Sequence, residues 1–215
     1  MRVFIVESPV VIRAVFWDFG GVILSSPFEA FNAYEQANGI PVDHIRRVNS
    51  TDPDTNAWAR IERRELTHDE FDDVFAAESE ALGHRIPGRD VIGMLYGSVR
   101  PEMVVALDTV IAAGYVTACL TNNFATDGHR AEVEAVMARF QHVVESSKVG
   151  VRKPEVAFYE IACEVAAVDP TEVVFLDDLG INLKPAKAMG MTTIKVTGAD
   201  QAIADLEGVL GIALR

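Results

Sequence analysis

The sequence is poor in cysteine and in basic residues. Only two cysteines, Cys119 and Cys163, occur among 215 residues. Both lie in apolar stretches, which argues against a disulfide scaffold and indicates a reducing compartment. Lysine and arginine together number 19 against 32 aspartates and glutamates, a formal net charge of -13. Nucleic acids and anionic membranes repel such an acidic protein, so neither is expected as a partner.

Long apolar runs are also missing. No run reaches the roughly 18 residues that a membrane-spanning helix needs. The N-terminal segment has some likeness to a signal peptide, but Glu7, Pro9 and Arg13 interrupt its apolar stretch. No small-residue cleavage site follows it cleanly. With 49% apolar and 24% charged residues, the composition is that of a globular enzyme, and we expect a cytoplasmic one.

Five short runs predict strands that are buried on both faces, because they are nearly all apolar rather than alternating. The runs are Arg13–Trp17, Tyr115–Leu120, His142–Glu145, Val173–Leu176 and Thr192–Val196. Helical patterns lie between the later runs: one from Pro101 to Gly114, one that Pro154 opens and one that Gly190 closes. This alternation predicts an α/β fold with a doubly wound parallel sheet.

Residues 25–100 interrupt the alternation with a pattern that is helical throughout. Thr67 and Glu70 predict a capping box at the start of a helix that ends at Gly83. The apolar residues of this helix have the spacing of a packed face; they are Phe71, Val74, Phe75 and Leu82.

We therefore expect a core domain, residues 1–24 and 101–215, and a helical cap domain, residues 25–100. An insertion directly after the first strand lies beside the carboxyl end of that strand, where α/β sheets bind ligands. The cap is thus predicted to act as a lid.

Polar residues stand at the carboxyl ends of the predicted strands, and these ends meet at one edge of a parallel sheet. They are Asp18 after the first strand, Thr121 and Asn122 after the second, Lys153 ahead of the helix after the third, and Asp177 and Asp178 after the fourth. Taken singly, each has an ordinary interpretation as a helix cap, a turn residue or a solvated lysine.

Together these residues indicate a cation site. Adjacent carboxylates at the end of an apolar strand repel each other, and Asp18 joins the same cluster. Oxygen ligands without histidine or cysteine favour a hard cation such as Mg²⁺. A carboxylate nucleophile beside Mg²⁺ suits phosphoryl transfer, with Lys153 and Thr121 stabilising the phosphoryl oxygens.

Four segments of the chain resemble, in order, the four motifs of the haloacid dehalogenase superfamily. They are VFWDFGGVI, LTNNF, VRKP and VVFLDDLGINLKPAKAMGM. The chain is most similar to the subfamily that contains the N-terminal phosphatase domain of soluble epoxide hydrolase and a related domain of acyl-CoA dehydrogenase family member 10. The likeness covers residues 13–24 and 101–196, and it extends weakly into the insertion through RIERRELTHDEF.

The resemblance implies a site for Mg²⁺ and a phosphorylated small molecule. Asp18 would be the nucleophile and a metal ligand, with Asp178 and the backbone carbonyl of Gly20 as further ligands. Asp177 would support the metal or the lysine, and Asn182 would lie in the outer shell. The phosphate would be bound by three residues: Thr121, Asn122 and Lys153.

One position departs from the phosphatase pattern. Phosphatases of this superfamily usually carry an aspartate two residues after the nucleophile as general acid and base, and here that residue is Gly20. Three functions therefore stay open: a Mg²⁺-dependent phosphatase of small metabolites, a weak or silent relative that binds phosphate ligands or a protein, and a haloacid dehalogenase. Dehalogenation needs no metal, so the Asp177-Asp178 pair argues against the third.

A response-regulator receiver domain also surrounds an aspartate with acidic residues, threonine and lysine. Its acidic pair would precede the lysine, and it has no place for the large insertion.

The substrate depends on the predicted lid. Arg60, Arg63 and Arg64 are candidates for contacting an anionic substrate. Alternatively, they form a solvated face that pairs with Glu62 and Glu65. The oligomeric state is not predicted by the sequence.

Overall fold

The computed structural model describes residues 11–95, 97–123 and 131–215. Residues 1–10 of the predicted core, which include most of the apolar N-terminal segment, lie outside this description. The described residues contain one sheet in which all neighbouring strands are parallel, in the order β3-β2-β1-β4-β5. Its strands are β1 (Ala14–Trp17), β2 (Val116–Thr121), β3 (His142–Glu145), β4 (Val173–Asp177) and β5 (Thr192–Lys195). The predicted α/β fold is confirmed.

The central strands are apolar throughout because each of their faces is covered. In β1, Val15 and Trp17 pack into one hydrophobic cluster, whereas Ala14 and Phe16 pack into the cluster on the opposite face. This division follows from the alternation of side chains along a strand. Every residue of β1 and β4 is buried.

Helices cover both faces of the sheet and fill the insertion. Those of the insertion are α1 (Phe28–Ala37), α2 (His44–Ser50), α3 (Ala57–Glu62), α4 (His68–Ala81) and α5 (Gly88–Gly93). Those that follow it are α6 (Pro101–Ala112), α7 (Ala131–Met137), α8 (Ser146–Val149), α9 (Val156–Ala166), α10 (Gly180–Ala188) and α11 (Ala199–Leu210). In the described ranges, no helix is long and apolar enough to cross a membrane.

The insertion has a hydrophobic cluster of its own. Phe71 and Phe75 of α4 lie at its centre, fully buried, with Ile45 and Ile61 from neighbouring helices. The predicted capping box of α4 is present: the Thr67 side chain accepts from the Glu70 N–H and the Glu70 carboxylate accepts from the Thr67 N–H. The two ends of the insertion lie side by side, since Leu24 and Val99 form an antiparallel bridge.

The predicted boundaries of the strands and helices agree with the structure to within two residues. The start of α9 differs for a reason that the structure shows. Pro154 was expected at the first position of a helix, but α9 begins at Val156 with Glu155 as its N-cap. The Lys153–Pro154 peptide bond is cis and lies in a turn. The side chain of Asn122 holds this turn ahead of the helix, because it hydrogen-bonds both the N–H and the carbonyl of Lys153.

The strand order places the carboxyl ends of β1 and β4 at the centre of the sheet edge. From β1 the chain moves outward to β2 and β3, then returns to the other side of β1 to form β4. Ligands of open α/β sheets bind in the crevice at such a reversal. Asp18 follows β1 at this point, while Asp177 ends β4 and Asp178 follows it.

Candidate active site

A buried lysine joins two of the carboxylates. Lys153 is 1% exposed, and its Nζ lies 2.8 Å from Oδ1 of Asp18 and 2.8 Å from Oδ2 of Asp177. Burial disfavours the ammonium, but the two carboxylates outweigh burial and raise the pKa of Lys153 above its ordinary value. The lysine therefore carries its charge at neutral pH.

Asp177 uses both of its oxygens within the protein. Oδ2 accepts from Lys153 Nζ, Oδ1 accepts from the Leu179 N–H at 2.7 Å, and Nδ2 of Asn182 donates to both oxygens at 3.1 and 3.0 Å. The residue is fully buried. These contacts leave Asp177 as a support for Lys153 and the surrounding loop.

Asp18 has one engaged oxygen. Its Oδ1 accepts from the Phe19 N–H at 2.6 Å and pairs with Lys153, whereas Oδ2 accepts no hydrogen bond from the described residues. Burial raises the pKa of Asp18, and Asp177 and Asp178 raise it further, against the opposing effect of Lys153. One carboxylate oxygen is thus oriented by the protein and the other is available to a ligand.

Asp178 completes a cluster of three acids. One oxygen from each of Asp18, Asp177 and Asp178 lies within 4.8 Å of the others. Burial and the nearby Asp177 raise the pKa of Asp178 to about 6, with Lys153 and Arg100 acting in the opposite direction. A cation would relieve this crowding, and an oxygen-only set suits Mg²⁺. Since both oxygens of Asp177 already accept hydrogen bonds within the protein, Asp18 and Asp178 are the carboxylates that fit a metal.

The two glycines after Asp18 have different surroundings. Gly21 has φ +75°, and a Cβ there would lie 2.2 Å from Oδ2 of Asp178, so a side chain would be strained and would displace the Asp178 carboxylate. Gly20 has φ -70° and ψ 134°, and no described atom lies within 4 Å of a Cβ built on it. A side chain at position 20 is therefore sterically allowed.

The two residues at the carboxyl end of β2, Thr121 and Asn122, differ in their surroundings. Thr121 is buried, and its hydroxyl donates one long hydrogen bond of 3.5 Å to the carbonyl of Asn122. The Asn122 side chain instead bonds the backbone of Lys153, with Nδ2 to the carbonyl and Oδ1 to the N–H at 2.9 Å each. The Thr121 hydroxyl remains available to a ligand, whereas the Asn122 amide is engaged.

Residues 12–209 match the haloacid dehalogenase-like hydrolases. The chain belongs to this family.

Curated relatives of this hydrolase cover nearly all of its length. Mouse acyl-CoA dehydrogenase family member 10 is 32% identical over 207 residues, and mouse bifunctional epoxide hydrolase 2 is 31% identical over 216 residues. These matches span 94% and 93% of the chain but only 19% and 39% of the relatives. The sesquiterpene phosphatase astK of Aspergillus oryzae is 26% identical, over 93% of the chain and 97% of its own length.

Solved structures share the fold of this hydrolase. A haloacid dehalogenase family enzyme from Bacteroides thetaiotaomicron, in complex with magnesium and inorganic phosphate, has a TM-score of 0.60 at 20% identity, covering 91% of the chain and 98% of its own. L-2-haloacid dehalogenase from Xanthobacter autotrophicus has a TM-score of 0.58 at 19% identity, covering 94% and 85%. At these identities the likeness concerns the fold alone.

Sequence reasoning missed one acidic residue of this hydrolase. Glu62, interpreted above as part of a solvated face, is only 5% exposed and points from α3 towards the core. Its Oε2 lies 2.5 Å from Nε of Arg152 and accepts a hydrogen bond from Nδ2 of Asn122 at 3.2 Å. Its place in RIERRELTHDEF, next to three arginines, suggested local ion pairs instead.

The predicted lid arginines are not equivalent. Arg63 links the insertion to the core, because its Nε lies 2.9 Å from Oε1 of Glu155. Its Nη1 donates to the carbonyl of Asp54 within the insertion. Arg60 is half-buried, and Arg64 is exposed on a residue with φ +64°. Of the three, Arg63 has the clearest structural role.

Proposed function

We propose that this hydrolase is a Mg²⁺-dependent phosphatase of small phosphorylated metabolites that works through an aspartyl-phosphate. The observation that carries the proposal is the state of Asp18. One of its oxygens is held by Lys153 and the Phe19 N–H, the other accepts no hydrogen bond from the described residues, and the carboxylate lies in a cluster with Asp177 and Asp178. A relative that is a phosphatase, and a structural neighbour that binds magnesium and phosphate, support the same chemistry.

In the first step one oxygen of the Asp18 carboxylate attacks phosphorus, and the bond from phosphorus to the leaving oxygen breaks; the other oxygen would be a ligand of the metal. Lys153 and the Thr121 hydroxyl stabilise the negative charge on the transferring phosphoryl group. Asn122 binds it through its backbone, because its side chain is occupied by Lys153. In the second step water attacks phosphorus, and phosphate and the free Asp18 carboxylate are released.

The metal would be held by the carboxylates of Asp18 and Asp178 and the carbonyl of Gly20. When bound, Mg²⁺ would neutralise charge on the phosphoryl oxygens and on the crowded acids. Asp177 keeps Lys153 charged and in place.

We also propose that residues 25–100 act as a lid over this site. Glu62 and Arg63 at the end of α3 contact Arg152 and Glu155, which flank the lysine in sequence. The insertion thus rests on the segment that carries Lys153, and a bound substrate would lie between the two. The open side of Gly20 offers room for a leaving group.

A test of the function is phosphate release from a panel of phosphate monoesters, with Mg²⁺ and with EDTA. Activity should require the metal and disappear in Asp18→Asn, which retains the shape of the side chain but not its nucleophilicity. Absence of metal-dependent release across the panel, in protein shown to be folded, would contradict the proposal.

Two other functions remain as candidates. The absence of a carboxylate at Gly20 favours a weak or silent relative that binds phosphate without turnover, and binding of inorganic phosphate without catalysis would identify it. The dehalogenase fold neighbour keeps the third candidate open. Halide release from a 2-haloacid in the presence of EDTA would identify that activity. Dehalogenation needs no metal, so the Asp177-Asp178 pair argues against it.

A further inference from the structure

The insertion contributes one buried carboxylate to the surroundings of the catalytic lysine. Glu62, the last residue of α3, is 5% exposed and contacts two residues of the core. Its Oε2 pairs with Nε of Arg152 at 2.5 Å and accepts from Nδ2 of Asn122 at 3.2 Å. No step of the proposed reaction uses Glu62, so its burial calls for another explanation.

The contact with Asn122 determines which way the asparagine amide faces. Nδ2 of Asn122 donates both to Glu62 and to the Lys153 carbonyl, while Oδ1 accepts from the Lys153 N–H. If the amide were turned over, its oxygen would face the Glu62 carboxylate and the Lys153 carbonyl, and both contacts would become repulsive. The acceptor oxygen of Glu62 therefore favours the one orientation that matches the Lys153 backbone.

The insertion also holds the segment on each side of Lys153. Arg152 pairs with Glu62, and its Nη1 donates to the carbonyl of Pro53 at 2.9 Å. Glu155 pairs with Arg63 at 2.9 Å. Arg152 and Glu155, which lie on either side of Lys153, are thus both bound to the insertion. The lysine ammonium itself lies between Asp18 and Asp177.

We propose that Glu62 is a positioning residue for Lys153. Through Asn122 and Arg152 it fixes the backbone from which the lysine extends, and it does so only while the insertion rests on the core. The consequence for catalysis rests on the proposed function, in which Lys153 binds the phosphoryl group. Docking of the insertion and correct placement of the lysine are then one event.

The direct test is amide hydrogen exchange at Lys153, whose N–H is bonded to Asn122, followed in peptides that span residues 148–157. Glu62→Leu removes the acceptor and should accelerate this exchange by about fivefold or more, the effect of one lost hydrogen bond. Glu62→Gln keeps an acceptor for Asn122 and should stay close to wild type. Glu80→Leu, at an exposed carboxylate of the same insertion that pairs with Arg85, is the control and should change nothing.

A leucine at position 62 leaves the half-buried Arg152 without its ionic partner, which is costly. The variant Glu62→Leu/Arg152→Met removes the ion pair as a whole and keeps the test valid if the single variant does not fold. Unchanged exchange at Lys153 in a folded variant that lacks the Glu62 carboxylate overturns the proposal. Equal acceleration in Glu62→Gln and Glu62→Leu also overturns it, because the charge alone would then matter.

A binding measurement separates this proposal from the proposed function. With Mg²⁺ present, Glu62→Leu should bind inorganic phosphate severalfold more weakly than wild type. Added to Lys153→Met, the same substitution should have no further effect on phosphate affinity, as expected for residues that act through one another. Independent effects in the two backgrounds would refute the positioning role. If exchange responds as predicted but no variant binds or hydrolyses phosphate, the positioning role stands and the phosphatase proposal fails.

Discussion

Lys153 and Asp177 form an ion pair of 2.8 Å in which neither side chain is more than 1% exposed. Removal of one partner from such a pair leaves an uncompensated charge in the interior. From the sequence, a lysine before a proline is ordinarily solvated, and its loss would be expected to spare the fold. Its burial between two carboxylates shows that this lysine supports the fold as well.

Lys153→Met should therefore lower both stability and phosphate binding. Loss of the buried cation leaves Asp177 and Asp18 without their shared partner, and the free energy of unfolding should fall by about 3–5 kcal/mol. Urea unfolding monitored by circular dichroism measures this loss, and calorimetry with inorganic phosphate measures the binding. Lys187→Met, at an exposed lysine of α10, is the control and should change neither. A stable Lys153→Met protein with unchanged phosphate affinity would contradict both roles of the lysine.

The second prediction concerns Mg²⁺. Millimolar Mg²⁺ should raise the melting temperature relative to EDTA, since a ligand that binds only the folded state stabilises it by about 2.7 kcal/mol at 100 times its dissociation constant. Asp178→Asn should abolish most of this rise. Asp73→Asn makes the same change of charge at an exposed position of α4 and should preserve it. Equal shifts in the two variants would place the metal elsewhere.

The metal effect should also depend on pH. The pKa of Asp178 is raised to about 6, so protons compete with Mg²⁺ below that value. In EDTA the same raised pKa means that Asp178 stabilises the fold while protonated, and that this contribution is lost as the pH rises through about 6. The advantage of Asp178→Asn over wild type in EDTA should thus be larger at pH 8 than at pH 5. Melting curves at the two pH values, with and without Mg²⁺, measure both effects.

The core of the site was predictable because parallel strands impose it. Asp18, Lys153 and Asp178 are far apart in sequence, but each follows a predicted strand, and the carboxyl ends of parallel strands share one edge. Apolar runs such as Val173–Leu176 identified those strands, since a strand covered on both faces has almost no polar residues.

Contacts between the insertion and the core were not predictable in this way. The pairing of Glu62 with Arg152 depends on how one group of helices lies on another, which no local pattern encodes. Three neighbouring arginines offered Glu62 closer partners in sequence, and the structure uses none of them. The backbone conformation of Gly20 could not be predicted from the sequence either, because glycine is compatible with either sign of φ.

The third prediction concerns the stability of the insertion in acid. His44 is 2% exposed, and its Nε2 lies 3.0 Å from Oγ of Ser79 and 3.2 Å from the carbonyl of His84. Burial is the main cause that lowers the pKa of His44 below its ordinary value. The neutral ring is therefore the folded form. Its contribution to stability is complete above the unfolded pKa, about 6.5, and is lost as the pH falls towards the folded pKa.

Replacement of this histidine should remove part of the acid sensitivity. Wild type should lose stability between about pH 6.5 and pH 5, whereas His44→Gln, which does not titrate, should lose less over the same range. His142→Gln, at a less buried histidine of β3, should follow wild type. The measurement is the urea midpoint at a series of pH values. Parallel curves for wild type and His44→Gln would show that another group controls the acid response.

In the proposed reaction, Gly20 stands at the position that would decide how the leaving group is protonated. Its φ of -70° is accessible to any amino acid, and no described atom lies within 4 Å of a Cβ added there. An aspartate can therefore be introduced without backbone strain. Gly21, by contrast, has φ +75° and lies against Asp178, so Gly21→Ala should destabilise the loop and disturb the metal site.

The last prediction follows from the missing general acid. In the proposed reaction a leaving group would depart largely unprotonated without a carboxylate at position 20, so wild type should hydrolyse p-nitrophenyl phosphate much faster than a sugar phosphate. A positioned general acid contributes about 10²–10⁴-fold, and most where the leaving group is basic. Gly20→Asp should therefore raise kcat/KM for the sugar phosphate by far more than for the aryl ester. If wild type already hydrolyses both equally well, another group supplies the proton, and the glycine ceases to be an argument for a silent relative.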